Sequence, residues 1–385
     1  MVQRVVWTLD PTSQVVAREI LRRGPMSRAE LSRRLRLSGP TVSRIAKPLL
    51  EAGLIVEDGP ARLTRTGRPS LPLRFSDSLG RFCGIGVLED ALQVSVCTVS
   101  GEELHQRSFD VDSSDPAQTI TTMVDAVAWA RTQDPAIAAV GVSVPGIVEH
   151  LRYVRRSRRL GWSNIDLAGR LGAAVSLPVV INNDFHALTS AEHWFGYGLQ
   201  HPSFLTVVID AVVGAGLVVN DRLAQESDGR GGLIGHHLVL PGGPTCRDGH
   251  AGCADGLLTR RAMTEQFALA FGRDVTYEQG LALADQQDPT ARRVLDRAAD
   301  GLGVLVGELG NLLGHQNVVV TGAGAGWVGV ARDRFVGQLE KMYLRGTAEV
   351  HLAVREWLVT DWGRAAAIAA VRSCPFLDGP DDTHA

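Results

Sequence analysis

Apolar positions between residues 13 and 59 recur at helical spacing, interrupted twice by turn residues. "SQVVAREILRRG" carries Val15, Val16, Ile20 and Leu21, and Gly24 then stops the pattern. "MSRAELSRRLRL" opens with Ser27 and has Glu30 three residues on, the spacing of a capping box, with Ala29, Leu31 and Leu35 as its apolar face. "SGPTVSRIAKPLLEAGLI" begins at Ser38, a good N-cap, and puts Pro40 in the first turn, where the missing N–H costs nothing. Val42, Ile45, Leu49 and Leu50 then point inward, leaving Thr41, Ser43, Arg44 and Lys47 on the opposite face. Pro48 is expected to bend or end this helix. "LIVEDGPARLT" reads as a small wing hairpin.

From Gly80 the pattern changes. "FCGIGVLEDALQVSVCTVSGEEL" predicts strand, turn and strand, and "PAQTITTMVDAVAWARTQ" a helix. "IAAVGVSVPGIVE" predicts a buried strand ending in a Pro-Gly turn, and "VVINNDFHALTSAEHWFGYG" a strand running into a helix. "FLTVVIDAVVGAGLVVND" reads as two strands joined by a glycine turn, and "NVVVTGAGAGW" as a strand with a glycine loop. Strands alternating with helices over this length imply an α/β body of two lobes.

Charge sharpens the division. Residues 1–74 hold 14 Arg/Lys against 6 Asp/Glu, while the rest hold 25 against 36, so a basic head joins an acidic body. That asymmetry points to a polyanion-binding module, and the helix order is that of a helix-turn-helix whose third helix enters the major groove. Arg44 has the fork that reads guanine, Thr41 and Ser43 can touch bases or phosphates, and Lys47 suits a phosphate. "RTGRPSLPLRF" follows; its Arg65 and Arg68 can enter a narrow minor groove, or the segment can serve as a spacer. No apolar run is long enough for a membrane span and the N-terminus lacks a signal-peptide core, so a cytoplasmic protein without membrane partners is expected. Five cysteines, three of them isolated (Cys83, Cys97, Cys374), argue against a disulfide framework.

The helix-turn-helix, the Gly-Arg-Pro linker, "SVPGIV", "LGWSNIDL", "PVVINNDFHALTSAEHWFG", "GLIGHH" and "TCRDGHAGC" occur in this order. Together they resemble the transcriptional regulators of the ROK (repressor, open reading frame, kinase) family. The resemblance implies a winged helix-turn-helix over 1–64, a linker over 65–79, and an α/β body of the actin-like ATPase, sugar-kinase type. Its first lobe would span 80–190, with a C-terminal helix at 361–374 returning to it, and its second 191–360. The resemblance implies a homodimer or homotetramer that binds operator DNA, represses genes of carbohydrate uptake or catabolism, and is released by a sugar effector.

The same resemblance shows what has changed. The first phosphate turn of the kinases, Asp-x-Gly-Gly-Thr, falls on "GVLEDALQV": the aspartate position is Gly86, the glycines are Leu88 and Glu89, and the threonine is Asp90. Side chains would block backbone approach to phosphate and carboxylates would repel it. The second phosphate loop is "DAVVGAG", with only its last two glycines kept, while "TGAGAG" at the adenosine end survives. Neither ATP binding nor phosphoryl transfer is therefore expected. Asp184 matches the kinases' catalytic base and Asn183 a hydroxyl-binding asparagine; the pair suits a sugar clamp, or Asn183 can instead cap the following helix. Other family contacts fall on His236, Asp255 and Arg159, with Leu233 where a glutamate is usual. Arg159 lies in "LRYVRRSRRLGW", an arginine-rich loop, and points to a sugar acid, a sugar phosphate or an oligosaccharide, or to a solvated or DNA-facing surface. The family's structural zinc falls on His236, Cys246, Asp248 and Cys253, with an aspartate where the middle cysteine is usual. His250 is an alternative ligand, and loss of the metal is the other reading.

Overall fold

The structure is a computed structural model that describes residues 9–59, 71–224, 231–314, 317–342, 350–355 and 358–374. The chain forms two compact units. The first is 1–199 with 226–229 and 360–385, and the second is 200–225 with 230–359.

The first unit opens with α1 (Pro11–Arg23), α2 (Arg28–Leu35) and α3 (Gly39–Glu51). Each start has a side-chain cap: Asp10 accepts from Thr12 and Ser13 N–H, Ser27 from Glu30 N–H, and Ser38 from Thr41 N–H. Val42, Ile45, Ala46 and Leu49 form the buried stripe of α3. Pro48 does not end that helix, which runs on to Glu51. Pro48 lies on the solvent side, where the lost hydrogen bond is replaced by water at least cost. The wing differs from its expected span: β1 (Ile55–Glu57) pairs antiparallel with β2 (Leu73–Phe75), a segment the sequence placed in the linker. Met26 also bridges Leu73, so β2 closes the head. Arg65 and Arg68 lie outside the described residues.

The first lobe follows with β3 (Arg81–Val87), β4 (Ala91–Cys97), β5 (Glu103–Asp110), α4 (Pro116–Gln133) and β6 (Ile137–Val144). Next come β7 (Ile147–Glu149), β8 (Tyr153–Ser157), β9 (Trp162–Asp166), α5 (Leu167–Val175), β10 (Val179–Asn183) and α6 (Asp184–Phe195). The main sheet runs β10-β6-β3-β4-β5, parallel from β10 to β3 and antiparallel beyond. β7, β8 and β9 make a small antiparallel sheet, so the arginine-rich stretch is a strand and its flanks rather than a loop. α6 belongs with this unit, which extends through Leu199, and not with the second lobe.

The second unit holds β11 (Phe204–Ile209), β12 (Val213–Val219), β13 (Arg222–Leu223), α7 (Ala254–Leu258), α8 (Arg260–Phe271), α9 (Tyr277–Asp285) and α10 (Pro289–Leu313). It ends with β14 (Asn317–Thr321), α11 (Gly326–Val330), α12 (Arg332–Met342) and β15 (His351–Val354). Its sheet runs β13-β12-β11-β14-β15 around a core that includes Phe267, Leu302, Trp327 and Phe335.

Finally α13 (Asp361–Arg372) packs in the first unit against β3, β6 and β4. "AAAIAAV" lets it lie almost on the sheet backbone. A Cβ built on Gly84 would sit 1.9 Å from Gly363 O, and one on Gly141 1.9 Å from Ala366 O. Gly84→Ala is therefore expected to cost about 3 kcal/mol, the upper end of ordinary overpacking, and to lower Tm by several degrees. An unchanged melting curve would contradict the contact. Burial, with the Arg372 charge adding to it, holds the His186 imidazole on α6 down at about 4. The unfolded chain binds that proton more readily, so acid should erode stability between about pH 6.5 and 4, by about 3 kcal/mol at most. Chemical denaturation across that window should show a smaller slope for His186→Gln than for the wild type.

Candidate functional site

The exposed face of α3 meets the geometry of a groove-reading helix. Ser43, Arg44 and Lys47 are exposed and Thr41 is half-buried. Thr41 Oγ1 lies 2.7 Å from Ser38 Oγ, so the first turn is organised by the cap. Lys47 Nζ is 3.8 Å from Glu51, an exposed i,i+4 pair of little energetic weight that a phosphate can outcompete. The N-terminal half of α3 thus offers hydroxyls and a guanidinium together, which is what base and phosphate contacts need.

In the first lobe two features mark the turn after β3. A Cβ on Gly86 would meet Trp362 Cβ at 2.5 Å, so the first turn of α13 fills the place where a side chain would project. Beyond the turn, a groove of about 440 Å³ is lined by Glu89, Asp90, Asp110, Val111 and Asp112, four carboxylates that repel a polyanion.

Arg159 donates to Glu89 Oε1 at 3.1 Å. Arg152 forks onto Asp166 at 2.8 and 2.7 Å, and Arg155 pairs with Glu149. Arg152, Arg155 and Arg159 are therefore paired within their own unit, and the expectation that Arg159 reaches for an acidic ligand meets a carboxylate already in place. Glu89 escaped the sequence reading because it lies 70 residues upstream, and no local pattern links the two.

Asn183 and Asp184 form the strand-to-helix junction of β10 and α6, and both are buried. Asn183 Oδ1 accepts from Phe185 N–H at 2.9 Å and His186 N–H at 3.3 Å, while Nδ2 donates to Gly146 O at 2.7 Å. Asn183 is thus an N-cap that also pins the Pro-Gly turn, the second of the two roles its type allows. Asp184, in the first turn of α6, sits where the helix dipole favours an anion.

The second unit brings together "GHH" and "PTCRDGHAGC". His236 and His250 rings lie 4.0 Å apart, and Cys246 Sγ is 3.6 Å from His250 Nδ1. The donor atoms of His236, Cys246 and His250 fall within 4.8 Å of one another, a spacing that suits a shared metal. Asp248 Oδ2 lies 3.2 Å from His236 Nε2, so this carboxylate contacts a candidate ligand, and it is His250 that the geometry joins to His236 and Cys246. Burial pushes the Cys246 thiol up, yet hydrogen bonds from the His250 backbone and ring, from Asp248 N–H and from Cys253 together leave it below its ordinary value. Cys253 is buried, and burial raises its thiol. Asp255 accepts from Val213 N–H at 2.6 Å and lies 3.7 Å from His236 Nε2; burial raises its carboxyl.

The retained glycine loop is explained by packing. Gly322 takes φ +112°, and a Cβ there would meet Ile209 O at 2.3 Å. Tyr277 Oη donates to Gly324 O at 3.1 Å and fixes the loop from the other side. Among the described residues no helix is long and apolar enough to cross a membrane.

Residues 83–356 match the ROK family and residues 9–62 the MarR family. The xylose repressor of Bacillus subtilis is 25% identical over 311 residues, covering 80% of each chain. A glucokinase of Halalkalibacterium halodurans is 26% identical over 262 residues, covering 63% of this chain and 79% of its own. Among solved structures, a ROK family transcriptional regulator described as a homologue of the Escherichia coli MLC protein superposes with a TM-score of 0.76 at 21% identity, covering 95% of this chain and 96% of that one. The kinase-like body and the helix-turn-helix head are thus matched in one chain, which belongs to the ROK family.

Proposed function

We propose that this protein is a sugar-responsive DNA-binding transcriptional repressor without kinase activity. The observation that carries the reading is α3: it presents Thr41, Ser43, Arg44 and Lys47 on one accessible face of a helix-turn-helix joined to a sugar-kinase-like body. The xylose repressor matches over 80% of this chain, whereas the glucokinase matches over 63%, which supports a regulator over an enzyme. Loss of phosphoryl transfer is supported by Trp362 against Gly86 and by the acidic groove, because holding the phosphates is most of that chemistry. The effector is a sugar with a hydroxyl held by Asp184; the engagement of Arg159 by Glu89 favours a neutral sugar over an acidic one. One head reads one half-site, so the working form is a homodimer or a pair of dimers.

Zinc in a structural role fits His236, Cys246 and His250, with the Cys253 thiol beside Cys246 as the fourth ligand and Asp248 orienting His236 as carboxylates do beside metal-bound imidazoles. The lowered Cys246 thiol is already biased to the thiolate that binds metal. When bound, zinc would tie the "GHH" turn to the cysteine loop.

Selection from random-sequence duplexes should enrich an inverted repeat, and Arg44→Ala should weaken its binding roughly ten- to hundredfold while relaxing one base position. Absence of any enriched sequence would overturn the reading. In a thermal-shift panel led by xylose, an effector at about 100 times its Kd should add about 2.7 kcal/mol, and no sugar phosphate should form when ATP is supplied. For the metal, protein purified without chelator should carry one zinc per chain. His250→Ala should lose it, whereas Asp248→Ala should keep it with affinity lowered roughly ten- to hundredfold; the reverse order would return the fourth ligand to Asp248.

A further inference from the structure

α6 has two ends with different chemistry. Its N-terminus is the Asn183 cap followed by Asp184, the residue assigned above to the sugar. Its C-terminus is met by the DNA-binding head. Arg22, in the last turn of α1, is buried and donates through one guanidinium nitrogen to His193 O at 2.8 Å and to Gly198 O at 3.0 Å. His193 O belongs to the last turn of α6, whose carbonyls lack intrahelical donors and carry the negative dipole end, and Gly198 O lies in the turn just beyond, so a buried cation held by both is a cap supplied by another part of the chain.

The element between these ends is suited to act as one body. Every residue of α6 from Asp184 to Trp194 is buried. α13 packs along it, and Arg372 donates to Ser190 Oγ. At twelve residues it spans about 18 Å. Glu192 folds back to accept from Tyr197 N–H at 2.9 Å, which fixes the turn that presents Gly198 O. On the other side of the contact, α1 is tied into the head. Glu19 pairs with Arg34 of α2 at 2.5 Å, and α1 packs against both α3 and β2.

We infer that Arg22 is the positioning residue that couples the sugar end of α6 to the DNA-binding head. A shift or tightening of α6 on contact at Asp184 moves the His193 and Gly198 carbonyls. Arg22 must follow them or let go, and α1 carries the change to α3. The inference rests on the sugar role of Asp184 for its physiological meaning, but the latch and its coupling can be tested with neither sugar nor DNA.

The experiment is hydrogen exchange by mass spectrometry on the full chain in four forms: wild type, Arg22→Ala, Asn183→Ala, and the double variant. Arg22→Ala should speed exchange across α1 and residues 193–199 roughly tenfold, the effect of losing two charge-assisted hydrogen bonds from a buried site, while α3 stays protected. Asn183→Ala, which uncaps α6 at its far end, should also speed exchange in α1, and should add nothing there once Arg22 is gone. Unchanged exchange at 193–199 in Arg22→Ala would overturn the latch. An α1 that ignores Asn183→Ala, or responds equally with and without Arg22, would overturn the coupling. Arg22→Lys keeps the cation and loses the two-carbonyl fork, so it should fall between wild type and Arg22→Ala; it reports on the same peptides should Arg22→Ala fail to fold. Failure of the duplex selection would instead strike the repressor reading and leave the exchange result standing.

Discussion

The first unit depends on the near-contact of α13 with the sheet beneath it. Ridges of side chains normally hold a helix well above a sheet, but here Gly84 and Gly141 on the strands and Gly363 and an alanine run on the helix remove those ridges. The backbone-to-backbone approach trades side-chain burial for close dispersion contact over a long line, and it leaves no tolerance for a methyl group. Three consequences follow from the one constraint. The chain must return from the second unit to complete the first. Gly86 cannot carry a side chain, because Trp362 stands in its place. And α6, which packs on α13, inherits a rigid neighbour along its length.

In the kinase-like body the space beside Gly86 is therefore taken by Trp362. Electrostatics reinforces the steric block. Glu89 and Asp90 stand on the turn itself, and Asp110 and Asp112 face it. Arg159 answers one of these four charges. A surface pair of this kind is worth at most about 1 kcal/mol, too little to turn the groove into an anion site.

How much of this was legible in the sequence depended on the range of the interaction. The head helices were, because Ser27 and Ser38 cap within three residues of themselves, and a local pattern reports a local bond. The alternation of the two lobes was legible for the same reason. The pairing of Ile55–Glu57 with Leu73–Phe75 was not: the second strand is three residues long and sits in a Pro- and Arg-rich stretch whose composition reads as linker. Pro48 misled because the rule concerns the lost hydrogen bond and not which side of the helix loses it. The arginine-rich segment read as a loop because its charges masked a strand pattern whose inward residues are only Val154 and Ser157. In the cluster around His236 the residue types were visible, but how Asp248 and His250 are placed about it is a matter of backbone path. Gly249, with φ +86°, lies between them and sets that path.

The presence of Asp184 at this junction has a physical explanation that needs no catalysis. A carboxylate in the first turn of a buried helix is held by the helix dipole, and next to it Asn183 satisfies the N–H groups of Phe185 and His186. The base of a kinase is thus also a structural part of α6, and a family member can lose the chemistry without losing the residue. What remains is a directed acceptor at one end of a buried helix whose other end is capped by an arginine from the DNA-binding head. On the repressor reading proposed above, a sugar hydroxyl held there drives no reaction, and the free energy of binding shifts the helix on which the head is latched.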